Sequence, residues 1–348
     1  MRILVTGHKG YIGSALVPLL VDGGHDVVGV DIGLFAPAVT EALAGIPDIP
    51  KDVRDLVRAD LEGFDAVVHL AALSNDPVGN LDPELTYQIN YHSSVRLASI
   101  AKAAGVGRFL FSSSCSNYGA AVVDHLMTEE SPLNPVTAYG KSKVLAEQAV
   151  RELASASFSP VFLRNATAYG VAPCFRTDLV VNNLMAWAYT TGQIRILSDG
   201  TPWRPLVHVR DIAAGFVAAI EAPRQSIHNE VFNIGRTDEN YQIRDIANII
   251  ASVMPSASIA YAPQAGPDVR DYRVSFEKAE TQLTTFAPRW NVRRGAEELL
   301  DFYRRCELTV ADVTGPRFVR IARVNQLLEQ GEVDRRLGWR ETTGKPGA

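Results

Sequence analysis

A chain of 348 residues is long enough for a large core, built as one big domain with a lobe or as two domains. Apolar residues make up 47% and charged residues 21%, the balance of a globular enzyme, and a formal charge of −5 gives no electrostatic reason to expect nucleic acid or an acidic membrane as partner. No apolar run is long enough to span a bilayer, and three scattered cysteines (Cys115, Cys174, Cys306) have neither metal-ligand spacing nor a disulfide pattern, so no metal site and a reducing, cytoplasmic setting are expected.

The predicted elements begin with a short apolar strand, Arg2–Thr6, ahead of which no signal peptide is expected. It runs into Gly7-His8-Lys9-Gly10-Tyr11-Ile12-Gly13 and then an amphipathic helix over Ser14–Val21. Gly7 can take backbone angles that other residues avoid, Gly10 permits close approach to a phosphate, and Gly13 permits tight packing of helix on strand. A dinucleotide pyrophosphate would sit over the helix N-terminus, where free N–H groups and the helix dipole favour negative charge. A second strand, Asp26–Val30, ends at Asp31, where a carboxylate would accept hydrogen bonds from the adenosine ribose. An acid there repels a 2′-phosphate, so NAD is favoured over NADP.

Further strands read at Ala66–Leu70, Arg108–Ser112 and Pro160–Arg164, with helical patterns over Glu84–Ala104 and Tyr139–Ala154 between them. Such alternation predicts an α/β, Rossmann-type doubly wound parallel sheet. The continuously apolar runs suit strands covered on both faces. His69, inside one of them, reads as a core histidine. After about residue 170 the rhythm loosens into helices at Leu179–Thr190, Asp211–Glu221, Ile243–Val253 and Arg294–Arg305, separated by loops rich in Pro and Gly. The expected division is a dinucleotide-binding domain over 1–170, a substrate lobe over 171–310 interleaved with the last sheet strands, and an extension over 311–348. In that extension Arg320–Gln330 is helical and Glu341–Ala348 a disordered end.

Phe111-Ser-Ser-Ser114-Cys115-Ser116-Asn117-Tyr118-Gly119 and Tyr139-Gly-Lys-Ser-Lys143 carry the chemistry. Tyr139 and Lys143 share a helix face at i, i+4. A tyrosine near pKa ~10 is a poor base at neutral pH, and a nearby ammonium favours its phenolate. Together with the glycine turn, these segments make the chain resemble an extended short-chain dehydrogenase/reductase of the NAD-dependent nucleotide-sugar epimerase/dehydratase family, over nearly its whole length to about residue 305.

The resemblance implies that Tyr139 removes a sugar hydroxyl proton while hydride leaves the same carbon for NAD. Ser114 aligns that oxygen, and Lys143 holds the nicotinamide ribose. It implies cofactor contacts from the turn (Gly7, Lys9, Gly10, Tyr11, Ile12, Gly13), from Asp31, from Asp52 and Val53 at the adenine, and from Leu70, Ala71 and Ala72 beneath the dinucleotide. Ser74, Ser114, Ser116 and Thr167 are expected on the substrate side. Asn183, Arg204 and Arg270 are expected at the nucleotide diphosphate, Arg270 standing in for an arginine that relatives carry where this chain has Ala265. Trp203 reads either as a base or sugar platform or as a packed surface tryptophan, and Asn90 as structural.

Related 4,6-dehydratases follow the serine with Asp and Glu, whereas this chain has Cys115 and Ser116, which cannot replace that acid–base pair. Cys115 is also one residue early for the cysteine of related 3,5-epimerases, and reads as a small buried residue. Relatives usually place Asn where Thr167 stands; here Asn165 comes two residues earlier. The expected activity is oxidation at sugar C4 as a 4-epimerase. The alternatives are a 4-dehydrogenase or 4-ketoreductase of deoxysugar nucleotides, and a redox-sensing NAD-binding protein without turnover. A homodimer is expected.

Overall fold

A computed structural model describes residues 1–35, 43–119, 125–262 and 271–340 of the chain. Its main sheet has seven parallel strands: β1 (Arg2–Thr6), β2 (Asp26–Val30), β3 (Asp48–Ile49), β4 (Ala66–His69), β5 (Arg108–Ser114), β7 (Ser159–Asn165) and β11 (Val231–Ile234). They lie in the order β11-β7-β5-β4-β1-β2-β3. The order reverses at β1, which is flanked by β2 and β4, so a crevice opens there at the carboxyl ends of the strands.

Successive side chains of a strand point to opposite faces, and both faces of this sheet are covered. Ile3 and Val5 join Leu16, Leu20, Phe216 and Ile220 in the core under α1 (Tyr11–Asp22) and α7 (Val209–Glu221). Leu4 points the other way, into a core with Val67, Phe109, Phe111, Leu97 and Val150 under α4 (Ser93–Ala103) and α5 (Ala138–Arg151). Each such aliphatic side chain contributes about 1.5–3 kcal/mol by burial.

The predicted helix over Glu84–Ala104 is three pieces in series. After α2 (Asp76–Gly79), α3 (Pro83–Tyr87) leads into a π-helical turn at Gln88–His92 and then α4. The widened turn carries Asn90, which accepts from Leu73 N (2.8 Å) and donates to Leu73 O (3.0 Å) and Ser142 Oγ (3.2 Å). Asn90 therefore ties the segment after β4 to α5. His69 is fully paired inside the sheet, to Thr6 Oγ1 (2.7 Å) and Ser94 Oγ (2.8 Å), and burial lowers its pKa to about 3.

Beyond residue 165 the chain builds a second body without leaving the first. β7 continues after a single residue, Ala166, into β8 (Thr167–Tyr169), which pairs with β10 (Trp203–His208) and through it β12 (Asn240–Gln242). Two small sheets, β6 (Leu126–Met127) with β14 (Arg273–Val274) and β9 (Gln193–Ile196) with β13 (Ser258–Tyr261), lie alongside. α6 (Val180–Thr191), α9 (Ile243–Val253) and α11 (Val292–Arg305) share a separate core that includes Val181, Met185, Ile246, Ile250, Leu299 and Tyr303. The chain returns to the main sheet through α7 and α8 (Arg224–Ile227) into β11, and α10 (Glu277–Gln282) packs on that edge strand. Two last helices, α12 (Val310–Thr314) and α13 (Arg320–Glu329), follow α11. Arg270 and the Glu341–Ala348 end lie outside the described residues.

Candidate active site

One cleft of about 940 Å³ runs from the glycine turn, past the ends of β4, β5 and β7, to α6 and β10. The turn at its floor is built by steric necessity. Gly7 has φ +74°, and a Cβ there would lie 2.7 Å from Ala71 N. The helix begins at Tyr11 rather than Ser14, which makes Gly10 its N-cap and puts Gly13 in its first turn. A Cβ on Gly13 would lie 2.3 Å from Gly7 O, so only glycine lets α1 sit this close to β1. Gly10 borders the cleft, and apart from its chain neighbours and its own helix backbone the described atom that a Cβ there would meet is Gly7 O at 3.0 Å.

Gly7, Gly10, Tyr11, Ile12, Gly13, Asp31, Asp52, Val53, Leu70, Ala71 and Ala72 all line the cleft. Asp31 accepts from the N–H groups of Lys9 (3.1 Å) and Gly33 (2.8 Å), which fix its carboxylate, while burial pushes its pKa up. The Tyr11 hydroxyl turns away to donate to Gly170 O (2.7 Å), leaving the Tyr11 backbone for the turn. Asp52 is already held by Arg54 through three hydrogen bonds, from its backbone N–H (2.8 Å) and its guanidinium (2.9 and 2.6 Å). The Lys9 side chain does not line the cleft; its ammonium pairs with Asp48 on β3.

At the end of β5 the Ser114 hydroxyl accepts from the N–H (3.1 Å) and Oγ (2.8 Å) of Ser116 and is hydrogen-bonded to Tyr139. Lys143, one turn along α5, donates to Ser112 O (2.8 Å) with its nitrogen 5.9 Å from the centre of the Tyr139 ring. Burial raises the Tyr139 pKa to about 12; the Ser114 hydrogen bond lowers it, and the Asp76 charge raises it. Burial also drops Lys143 to about 7, with Glu147 opposing. The expected activation of the phenol by an ammonium is therefore not a standing feature of the cleft: desolvation acts on both groups in the direction that neutralises them.

Cys115 faces away from this cleft. It is 1% exposed, its Sγ donates to Arg164 O (3.1 Å), and burial pushes its pKa well up. Beside it lies a buried network. Arg164 pairs with Glu147 (2.7 Å), and Glu147 accepts from Ser113 and Asn117.

The substrate-side residues Ser74, Ser116, Thr167, Asn183 and Arg204 border the same cleft. Arg204 is 6% exposed and donates to Trp203 O (2.7 Å); Asn183 donates to Thr177 O (3.1 Å). Trp203 itself does not line the cleft and carries the Arg273 guanidinium over its ring, 5.1 Å from the centroid. Sequence reading missed several liners, among them Asn75, Asp76, Arg176, Asp178 and Arg320. Arg176 pairs with Asp178 (2.7 Å) and donates to Ser74 Oγ (3.2 Å), and Asn75 donates to Asp178 (2.8 Å). Arg176-Thr-Asp178 was the available signal, a cation and an acid two residues apart shortly after the β8 strand.

Residues 3–235, well over half of the chain, match the NAD dependent epimerase/dehydratase family. The chain belongs to that family. UDP-glucose 4-epimerase of Corynebacterium glutamicum is 31% identical over 300 residues, covering 81% of this chain and 90% of its own length. Among solved structures, MoeE5 in complex with UDP-glucuronic acid and NAD has a TM-score of 0.77 at 28% identity, covering 88% of this chain and 100% of its own. UDP-glucuronic acid 4-epimerase from Bacillus cereus, solved with UDP-glucuronic acid and NAD, has 0.77 at 25% identity with the same coverage. As a member of the NAD dependent epimerase/dehydratase family the protein is an enzyme that uses NAD.

The residues of the cleft fit that cofactor. Gly10 leaves room at the N-terminus of α1, Asp31 stands where a ribose diol would meet it, and Asn165 presents a buried Oδ1 with no hydrogen-bond partner among the described residues. The Asn165 Nδ2 is already committed to Ser112 Oγ (3.1 Å) and Ser113 O (3.2 Å), so the open acceptor remains for a bound group. No described helix is long and apolar enough to cross a membrane.

Proposed function

We propose that the protein is a nucleotide-sugar 4-epimerase that oxidises and re-reduces C4 of its substrate. The observation that carries this reading is one continuous cleft joining three features: the glycine turn with Asp31, the Ser114–Tyr139–Lys143 group, and the Arg204–Asn183 wall. Bound NAD would supply the hydride acceptor at C4 and the hydride returned to it. Tyr139 Oη takes the C4 hydroxyl proton and later gives it back, and Ser114 Oγ holds the same oxygen in line. To act as that base Tyr139 first gives up its own proton, and Lys143, brought by burial to about 7, takes up a proton in the same step, so that an ammonium faces the phenolate and stabilises it. Arg204 suits a diphosphate because a guanidinium offers paired N–H donors to phosphate oxygens.

Elimination of water is disfavoured by the segment after Ser114. Cys115 is sealed from the cleft, and Ser116 serves Ser114 as a hydrogen-bond donor, so neither supplies the acid or base a dehydratase needs. Relatives named for UDP-glucose and UDP-glucuronic acid favour a uridine diphosphate sugar as substrate. We also infer a cytoplasmic homodimer. The family resemblance supports the dimer, and three free cysteines, two of them buried, fit a reducing compartment.

The deciding experiment incubates the protein with NAD and UDP-glucose, UDP-galactose or UDP-glucuronic acid and follows the C4 configuration by NMR. Interconversion of C4 epimers without net absorbance at the NADH band is expected. Stoichiometric NADH release would make it a dehydrogenase, and loss of a C6 oxygen from the sugar would make it a dehydratase.

A further inference from the structure

The last described segment, Val310–Arg340, does not project from the enzyme but folds back over the cofactor end of the cleft. Val324 and Leu327 on α13 are fully buried against Leu34, Leu73, Val78 and Leu85, which come from the loop after β2 and from the segment after β4. Hydrogen bonds fasten the same segment on both sides: Arg323 to Leu34 O (3.3 Å), Trp339 to Ile32 O, and Arg54 to Arg336 O (2.8 Å). Ile32 and Leu34 follow Asp31, and Arg54 holds Asp52. The segment therefore spans the two walls between which an adenosine would lie.

Arg320, at the start of α13, is 6% exposed and borders the cleft. Its guanidinium lies over the Phe35 ring (4.0 Å to the centroid), and its Nη2 donates to Cys174, 2.8 Å from Sγ and 3.5 Å from O. Cys174 in turn donates its N–H to Ser14 Oγ (3.1 Å), in the first turn of α1. A single residue thus separates the Arg320 charge from the helix start that closes the glycine turn.

Among the described residues the Arg320 guanidinium makes no ion pair. The nearest acid it touches, Asp178, accepts only the Arg320 backbone N–H (3.4 Å) and is neutralised by Arg176. Among the described residues, the Asp178 carboxylate is thus shared between two guanidinium groups, Arg176 and Arg320. A buried charge without a counter-ion is costly, and a bound anion would remove the cost. Burial and Arg176 lower the Arg320 pKa, while Cys174 and Asp178 raise it in part.

We propose that Arg320 binds the diphosphate of NAD from the side opposite the glycine turn, and that the segment over 310–340 is a clasp that keeps the dinucleotide in place between turnovers. The assignment rests on NAD occupying this cleft and is independent of which sugar is epimerised. The test is the dissociation of NADH from the full-length protein, measured by its fluorescence during a chase with excess NAD. Arg320→Met keeps the aliphatic stem and removes the charge; it should speed NADH release about tenfold to a hundredfold, with Arg320→Lys in between. UDP affinity, measured by calorimetry, should change less than about twofold, since Arg204 and Asn183 border the other end of the cleft.

A second measurement stands if the variant does not fold. In the unaltered protein, NADH should slow hydrogen exchange of amides over 320–337, and UDP alone should not. Unchanged NADH release in a folded Arg320→Met protein, a loss of UDP affinity instead, or exchange over 320–337 that ignores NADH would each overturn the proposal. A protein that binds NADH through the clasp yet leaves every C4 unchanged would refute the epimerase reading alone.

Discussion

Helix α5 carries two charged side chains one turn apart, and they meet opposite surroundings. Glu147 lies in a closed network with Arg164, Ser113 and Asn117, its charge matched by a guanidinium at 2.7 Å. Lys143 lies at the cleft with a backbone carbonyl as its hydrogen-bond acceptor, and burial brings its pKa to about 7. Burial works against the Arg164 charge, but its pairing with Glu147 outweighs burial and pushes that arginine up. The matched pair is closed off from the cleft by its own hydrogen bonds and holds shape. The lysine is left where a proton or a neighbouring charge can change its state, which is what a group serving Tyr139 needs.

That contrast can be broken at either end. The largest effect is expected from Tyr139→Phe, which removes one oxygen from the cleft side. Single-turnover reduction of bound NAD by substrate should fall ~10²–10⁴-fold while NADH affinity stays within about twofold. Near-native reduction would remove Tyr139 as the base.

Glu147→Gln attacks the matched side. It leaves Arg164 buried without a counter-ion and should lower stability by about 3 kcal/mol, read from urea unfolding, whereas Glu147→Leu with Arg164→Met should recover much of the loss. A loss confined to turnover, with stability unchanged, would mean the network serves the chemistry directly.

Lys143→Met should show its effect as a pH dependence. With its folded pKa near 7, below its ordinary lysine value, the unfolded chain binds more protons than the folded one across the interval between them. Stability of the cofactor-free protein should therefore rise with pH from about 7 to 10 through this group and be lost as pH falls back to about 7. The difference in urea midpoint between the unaltered protein and Lys143→Met measures that term; a difference that does not change between pH 7 and 10 would mean that Lys143 stays charged. The smallest effect belongs to Cys115→Ala, which should leave the hydride step unaltered and cost about 1 kcal/mol of stability, because the thiol packs behind the strand. An inactive but folded Cys115→Ala protein would place the thiol in the reaction.

Much of this was legible in the chain itself. β1 and β2 start and stop where their apolar runs do, and the glycine turn announces the helix behind it. The acid at Asp31 and the Tyr139–Lys143 spacing were readable as cleft residues because backbone geometry puts them there with little help from elsewhere. The edge strand β3 was not legible: two residues, Asp48 and Ile49, carry no periodicity. The π turn at Gln88–His92 was hidden too: the residue it carries, Asn90, is bonded to Leu73, a partner 17 residues away. Arg320 lay furthest beyond reach. Its neighbours Phe35 and Cys174 are brought to it only by tertiary packing, and on a helical pattern it reads as one more surface cation.

The passage from β7 through Ala166 into β8 makes one extended stretch of chain a member of two sheets. Asn165 and Thr167, on either side of that step, are also walls of the cleft. A substitution that reshaped this wall would disturb the seam joining the two bodies, so adaptation to a different sugar has little freedom here. It has more in Leu197 and Ser198, cleft residues in the loop that follows β9, outside any sheet. Substrate range in this enzyme should drift along that rim while the seam stays as it is.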